Sequence, residues 1–311
     1  MPKPKKEYQI NQYLRFLVDA WMGVFKPYYG ISANITSEIQ NINEPYLLLS
    51  NHLGRYDPFI ISSFFKKKPH FISSDAILRD KIIGRLFKGL GAVPKKKGMR
   101  DSVVIREMLQ LVKRGDAIAL FPEGTRTWDG TTLPIEPSIV KLVRLLKVPV
   151  ITCKMKGAYA YDPRWSKPLR SANVEVDYNL CLTKEQIQTL DETAMFEMIV
   201  KGLYHDDIAY QRSKMTIIKS KQRAEFIDRV LFQCQKCNSF DGFDSKGNDF
   251  SCRSCGEKYH IDKHGFFESN NIEVKFSDIK SWLYWQNNNF KAYIKELFLS
   301  HTEEVFFADQ Y

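Results

Sequence analysis

The sequence predicts an α/β fold: a mostly parallel β-sheet covered by helices, followed by a small cysteine-bearing module. Three observations predict it. Short apolar runs alternate with amphipathic stretches from about residue 45 to about residue 190. Polar loops containing glycine follow two of those runs, at strand ends where such sheets usually form ligand sites. Past about residue 230 the composition shifts to Cys, Gly, Asp and aromatic residues around two Cys-x-x-Cys pairs. With 311 residues, 44% of them hydrophobic and 26% charged, the chain can bury one substantial domain and a smaller one, and general disorder is excluded.

Residues 8–25 have helical spacing, with Ile10, Leu14, Leu17, Trp21 and Val24 on one stripe that Tyr13, Phe16 and Phe25 widen. Arg15 and Asp19 interrupt this stretch, so it does not read as a membrane span. It also lacks the clean apolar run and cleavage site of a secretory signal. Lys3, Lys5 and Lys6 precede it, which suits a helix lying in an anionic interface; packing on its own domain is the other reading. Residues 46–49 then read as a strand. A helix opens at Asp57-Pro58, with Asp57 as N-cap, and runs through residue 65. Residues 70–72 read as a strand and 80–90 as a helix ended by Gly91.

Ser102 caps the next helix, in which Ile105, Met108, Leu109 and Val112 share a face opposite Arg106, Glu107, Gln110 and Lys113. A buried strand at 117–121 follows, then a helix at 138–147, strands at 149–154 and 174–182, and a helix from Lys184. Cys153 and Cys181 fall in apolar strand surroundings and read as packing residues. The expected organisation is a membrane-surface segment at 1–30, the α/β domain at 31–205 and a connecting helix at 206–230. The cysteine module at 231–268 and an aromatic helical tail at 269–311 complete it, with a strand-like end at 304–311.

The loop after the first predicted strand reads Ser50-Asn51-His52-Leu53-Gly54-Arg55-Tyr56-Asp57-Pro58. On a helix, a five-residue spacing separates two side chains by about 140°, so His52 and Asp57 meet only if the chain turns, which Gly54 permits. In that arrangement Asp57 fixes the imidazole tautomer, and the other ring nitrogen can take a proton from a hydroxyl. The second loop reads Phe121-Pro122-Glu123-Gly124-Thr125-Arg126. Arg126 can hold a phosphate bidentately, Gly124 allows close backbone approach, and Thr125 adds a hydroxyl. Glu123 can orient Arg126 or bind a substrate hydroxyl. A net charge of +10 favours a polyanionic partner without choosing among nucleic acid, anionic lipid and phosphorylated substrate.

Together, Asn51-His52-x-x-x-x-Asp57 and Phe121-Pro122-Glu123-Gly124-Thr125-Arg126 resemble the glycerolipid acyltransferase family, which includes lysophosphatidic acid acyltransferases, over about residues 40 to 185. The resemblance implies that His52 is the general base and Asp57 its partner. The family's third motif maps onto Gly91-Ala92-Val93-Pro94-Lys95-Lys96-Lys97, with Lys97 where an Arg is usual; Lys keeps the charge but loses the planar fork. A fourth, apolar motif resembles Val148-Pro149-Val150-Ile151, with Cys153 where a second proline is common.

The resemblance further implies direct transfer of a fatty acyl group from acyl-coenzyme A or acyl carrier protein to the hydroxyl of lysophosphatidic acid. The runner-up acceptors are glycerol 3-phosphate and other lysophospholipids. Arg126, Lys97 and Arg55 would hold the acceptor with Glu123, Gly124 and Thr125. No catalytic metal is implied, and the expected location is peripheral, on the cytoplasmic face of a membrane.

Cys234-Gln-Lys-Cys237 and Cys252-Arg-Ser-Cys255, with Gly256 after the second pair, match the four-thiolate spacing of a zinc ribbon. Paired cysteines without an export signal point to a metal site in a reducing compartment rather than to disulfides. The expected zinc is structural, replacing the core that so short a module lacks. His260 and His264 lie nearby and read as surface residues, because four thiolates satisfy a tetrahedral ion. Charge and ribbon alone would also suit a nucleic-acid or adaptor protein with a degenerate enzyme domain. The intact His52, Asp57, Glu123 and Arg126 weigh against that reading and against nucleic acid as a partner.

Overall fold

The computed structural model describes residues 8–95 and 101–300. The chain forms two compact units, Met1–Arg164 with Pro168–Lys219, and Trp165–Lys167 with Ser220–Tyr311. The first unit begins with α1 (Gln12–Tyr29), β1 (Ile31–Asn34), α2 (Ser37–Gln40), β2 (Leu47–Ser50), α3 (Asp57–Ser62) and β3 (His70–Ser74). It continues through α4 (Asp75–Arg79), α5 (Ile83–Gly89), β4 (Val93–Lys95), α6 (Asp101–Arg114), β5 (Ile118–Leu120) and α7 (Ile139–Leu146). It ends with β6 (Val150–Lys156), α8 (Ala158–Tyr161), β7 (Val174–Leu182), α9 (Lys184–Thr189), α10 (Glu192–Leu203) and α11 (Asp207–Lys214).

Its sheet has the order β1-β7-β6-β2-β5-β3-β4 and is parallel throughout except where β6 meets β7. The expected mostly parallel α/β architecture is therefore the observed one. Leu47, Leu48 and Leu49 of central β2 are completely buried, as a strand covered on both faces requires. One core cluster joins Leu47 and Leu49 to Met108 and Leu111 of α6, Val140 and Val143 of α7, and Met195 and Ile199 of α10.

Several local expectations are corrected. The helix expected at 80–90 is the shorter α5, with a separate α4 ahead of it at Asp75–Arg79; the Asp80 carboxylate accepts from the Ile82 and Ile83 amides at 2.8 and 2.7 Å and so delays the helix start to Ile83. The helix expected over 206–230 occupies only Asp207–Lys214; Met215 turns left-handed at φ 50° and an irregular segment follows. Asp57 is not the cap of α3 but its first residue, and α3 stops at Ser62. The strand-like reading of 304–311 and the basic residues Lys3, Lys5, Lys6 and Lys97 lie outside the described residues.

Only one face of α1 packs on its domain. Met22 and Phe25 are buried against the domain, whereas Tyr13, Phe16, Leu17, Trp21, Val24 and Tyr28 are exposed. No described helix is long and apolar enough to cross a membrane.

In the second unit a short 3-10 turn (Ile227–Arg229) precedes β8 (Phe243–Lys246), β9 (Asp249–Cys252), β10 (Lys258–Ile261) and β11 (Phe267–Glu268), which form an antiparallel sheet in reverse order. Helix α12 (Ile279–Ser300) inserts fully buried Trp282 among Phe243, Phe250, Tyr259 and Phe267. The module therefore has an aromatic core of its own, closed by a residue from the tail.

Candidate active site

Adjacency in the sheet builds the site. Parallel β2 and β5 are neighbours, with Leu49 level with Leu120, so the loops that follow them leave the same edge side by side. Asn51 continues the sheet by side chain: its Nδ2 donates to the Met155 carbonyl at 3.0 Å, and the Met155 amide donates to its Oδ1 at 2.8 Å. That pair anchors the chain at the residue before His52.

The predicted turn is present. His52 Nδ1 lies 2.9 Å from Asp57 Oδ2, which also accepts from the Leu53 amide at 2.7 Å and the Gly54 amide at 2.9 Å. Asp57 is fully buried and acts as an acceptor in all three contacts, which assigns the ring proton to Nδ1 and leaves Nε2 its lone pair. Phe121 stacks on the imidazole, with centroids 3.9 Å apart and planes 15° from parallel, so the ring orientation is held as well as the tautomer. The imidazole retains 20% exposure, enough for a reactant to reach it.

The loops are also tied to each other. Glu123 Oε1 accepts from the His52 amide at 2.7 Å, Oε2 accepts from the Leu133 amide at 2.6 Å, and the Thr127 amide donates to the His52 carbonyl at 3.1 Å. Burial pushes the Glu123 carboxyl up to about 7, against the opposing pull of its two amide donors. Glu123 thus braces the catalytic loop, and no ion pair to Arg126 is present among the described residues.

Gly124 has φ 72°, a left-handed backbone conformation that suits glycine, and nothing lies within 4 Å of where a Cβ would stand. Thr125 is exposed on the same loop. Arg126 is partly buried; its Nη1 is sealed from solvent with no hydrogen-bond partner, although burial disfavours its charge. Among the described residues that buried donor is left unused, a group for which a hydrogen-bond acceptor would be favourable. Arg55, exposed at the rim, forms an ion pair with buried Asp162. Sequence reasoning did not find Asp162, because its partner is 107 positions away.

Residues 32–156 match the family model described as Acyltransferase. Over those residues the chain is similar to the acyltransferase family. The chain is 26% identical over 160 residues to a chloroplastic 1-acyl-sn-glycerol-3-phosphate acyltransferase of Brassica napus, covering 50% of this chain and 46% of that one. It is 27% identical over 170 residues to the Arabidopsis thaliana counterpart, covering 53% and 48% respectively. The Bacillus subtilis 1-acyl-sn-glycerol-3-phosphate acyltransferase is 25% identical over 113 residues, covering 36% of this chain and 56% of the relative. The chain thus spans about half the length of the curated relatives it matches. The acyltransferase fold is shared with the crystal structure of the 1-acyl-sn-glycerophosphate acyltransferase PlsC of Thermotoga maritima, at a TM-score of 0.53 and 18% identity, over 69% of this chain and 84% of that one.

The second unit holds a separate candidate metal centre. The sulfurs of Cys234, Cys237, Cys252 and Cys255 all lie within 4.8 Å of one another, with Cys234 to Cys255 at 3.9 Å and Cys237 to Cys252 at 3.7 Å. A tetrahedral ion bonded to sulfur at about 2.3 Å requires sulfurs roughly 3.8 Å apart, so the cluster fits such an ion. The two knuckles are built alike. The Asn238 amide donates to the Cys234 carbonyl at 2.9 Å and the Gly256 amide to the Cys252 carbonyl at 3.0 Å, and both donors are left-handed, at φ 61° and 69°.

Proposed function

We propose that this protein transfers a fatty acyl group from a thioester donor, acyl-coenzyme A or acyl carrier protein, to the hydroxyl of lysophosphatidic acid. The observation that carries the reading is the His52–Asp57 pair, tautomer-fixed and braced by Glu123, beside the unpartnered Nη1 of Arg126. The names of the relatives support the acceptor class.

In the mechanism, Nε2 of His52 takes the proton of the acceptor hydroxyl as its oxygen attacks the thioester carbonyl. Asp57 stabilises the imidazolium that forms. Collapse of the tetrahedral adduct breaks the carbon–sulfur bond, and the thiolate leaves with the proton returned by His52. Arg126 holds the acceptor's phosphate and so presents the hydroxyl to the base, a positioning effect. Gly124 and Thr125 shape that phosphate loop, and Arg55 adds charge to it. Phe71, which stacks on Phe121, also lines a shallow cleft, partly open to solvent, with Val18, Phe59, Phe87 and Leu90. That cleft is the proposed seat of the acyl chain.

The exposed aromatic and aliphatic face of α1 is proposed to rest on an anionic membrane surface, on its cytoplasmic side, where acceptor and product reside. The four cysteines are proposed to hold a structural zinc ion, which would tie the two knuckles together and supply no group to acyl transfer.

Thiol release from a panel of acyl donors and acceptors, wild type against His52→Ala, tests the reading. Activity that survives the substitution removes His52 as base. Full activity in Arg126→Ala removes the phosphate clamp.

A further inference from the structure

Asp162 lies just past α8, beyond the residues that match the family model, and no sequence motif marks it. Its carboxylate is fully buried. Every hydrogen bond it accepts among the described residues comes from Arg55. Oδ2 accepts from the Arg55 amide at 2.6 Å, Nε donates to Oδ1 and Oδ2 at 3.0 and 3.2 Å, and Nη2 donates to Oδ1 at 2.7 Å.

A buried carboxylate paired with a rim arginine is a poor way to stabilise a fold, since an apolar residue of similar volume usually does as well. What the pairing secures is geometry. Three consecutive amides of the catalytic loop are held by two carboxylates: Asp57 takes those of Leu53 and Gly54, and Asp162 takes that of Arg55. Gly54 passes between them. A Cβ there would stand 3.0 Å from Asp57 Oδ1 and 3.1 Å from Asp162 Oδ2, so a side chain at residue 54 would press on both carboxylates. The same Asp57 oxygen that anchors this turn fixes His52. Arg126, with its unpartnered Nη1, lies within the electrostatic reach of both carboxylates.

We propose that Asp162 is a positioning residue for the acyl transfer: it locks the turn at 53–55 that sets His52, and it turns the Arg55 fork to serve with Arg126 as a second arm for the acceptor's phosphate monoester. The proposal rests on the acyltransferase reading. It differs from the family motifs in assigning the acceptor grip partly to a residue outside them.

The test is steady-state kinetics of the full chain with a saturating thioester donor and varied lysophosphatidic acid. Arg55→Ala, a change at an exposed side chain, is expected to raise the acceptor KM about tenfold with kcat within about threefold. Asp162→Asn is expected to raise KM equally and also to lower kcat about tenfold to a hundredfold, because the turn is released as well. In the double variant the KM effects should not multiply, since both remove one arm. An unchanged KM in Arg55→Ala, an unchanged kcat in folded Asp162→Asn, or multiplying KM effects would overturn the proposal. A wild type that releases no thiol with any acceptor defeats the acyltransferase reading instead. The clamp is then read from the His52 Nδ1–H proton resonance, expected to broaden or shift in Asp162→Asn; an unmoved signal overturns it.

Discussion

The two units hold their chemistry in opposite ways. In the first unit the polar groups of the candidate site come together across long stretches of chain: His52 meets Glu123 over 71 positions, and Arg55 meets Asp162 over 107. A buried parallel sheet brings those loops to one edge, and backbone amides bonded to carboxylates fix them there. In the cysteine unit each half of the site is a local turn, and only 15 and 21 positions separate the sulfurs that face each other most closely. A handful of aromatic rings around Trp282 suffices as scaffold. The difference is one of tolerance. A thiolate cluster needs four atoms at tetrahedral spacing, which a bound ion itself helps to impose. A general base must hold its ring, tautomer and reactant before anything binds, so a larger frame has to fix it.

That contrast can be broken most sharply at the metal. If zinc is the scaffold of the second unit, its removal costs that unit on the order of 10 kcal/mol of folding energy. Stripping the ion with a chelator, or Cys252→Ser, should abolish the near-ultraviolet circular dichroism of buried Trp282, with about one zinc released per chain. Retention of that signal in a zinc-free chain would show the aromatic core to be sufficient. Acyl transfer should persist at a substantial level in the stripped protein; its complete loss would mean that the two units are coupled.

Next in size is His52→Ala, expected to lower kcat by about 10² to 10⁴ with the fold intact. A loss below tenfold would mean that positioning by the frame, rather than the base, carries the rate.

Smaller again is the strain stored at the brace. Glu123 titrates near 7 in the folded chain against an ordinary 4.5, so the folded state keeps a proton that the unfolded state gives up. Stability is then greatest below about pH 4.5 and falls as pH rises toward 7, by about 3 kcal/mol in all. Urea unfolding of wild type and Glu123→Gln between pH 4.5 and 8 reads this: the difference between the two curves should slope with pH, and parallel curves would dismiss the burial argument. The smallest effect is expected at the exposed face of α1. Phe16→Ser with Val24→Ser should weaken binding to vesicles containing anionic lipid about tenfold, measured by sedimentation. Unchanged sedimentation would assign that face to another partner.

Much of the site was legible because its residues are clustered in two short loops with constrained composition. His52, Asp57, Glu123 and Arg126 all fall at the sheet edge where strand-end reasoning puts them. The bracing contacts of Glu123 with two amides were not legible, since a carboxylate in a loop looks the same in sequence whatever it meets. Gly124 adopts a left-handed backbone, and at Gly54 the turn also brings the chain close to Asp57 and Asp162. Helix ends misled wherever a side chain competed with the backbone, as Asp80 does. For the aromatic tail the sequence left covering the ribbon, contact with a membrane and a partner all open, because a run of aromatics looks alike in each case; Trp282 enters the module's core.

By itself the sequence determined the α/β class, the pairing of His52 with Asp57 through a turn, and the four-cysteine cluster. Each follows from periodicity or short spacing, which the chain carries locally. Only the tertiary structure decided that Glu123 braces His52, that Asp162 grips Arg55, and that one face of α1 is buried while the other is left bare. These depend on which strands become neighbours, and sheet order is fixed by packing of the whole unit rather than by any stretch of it.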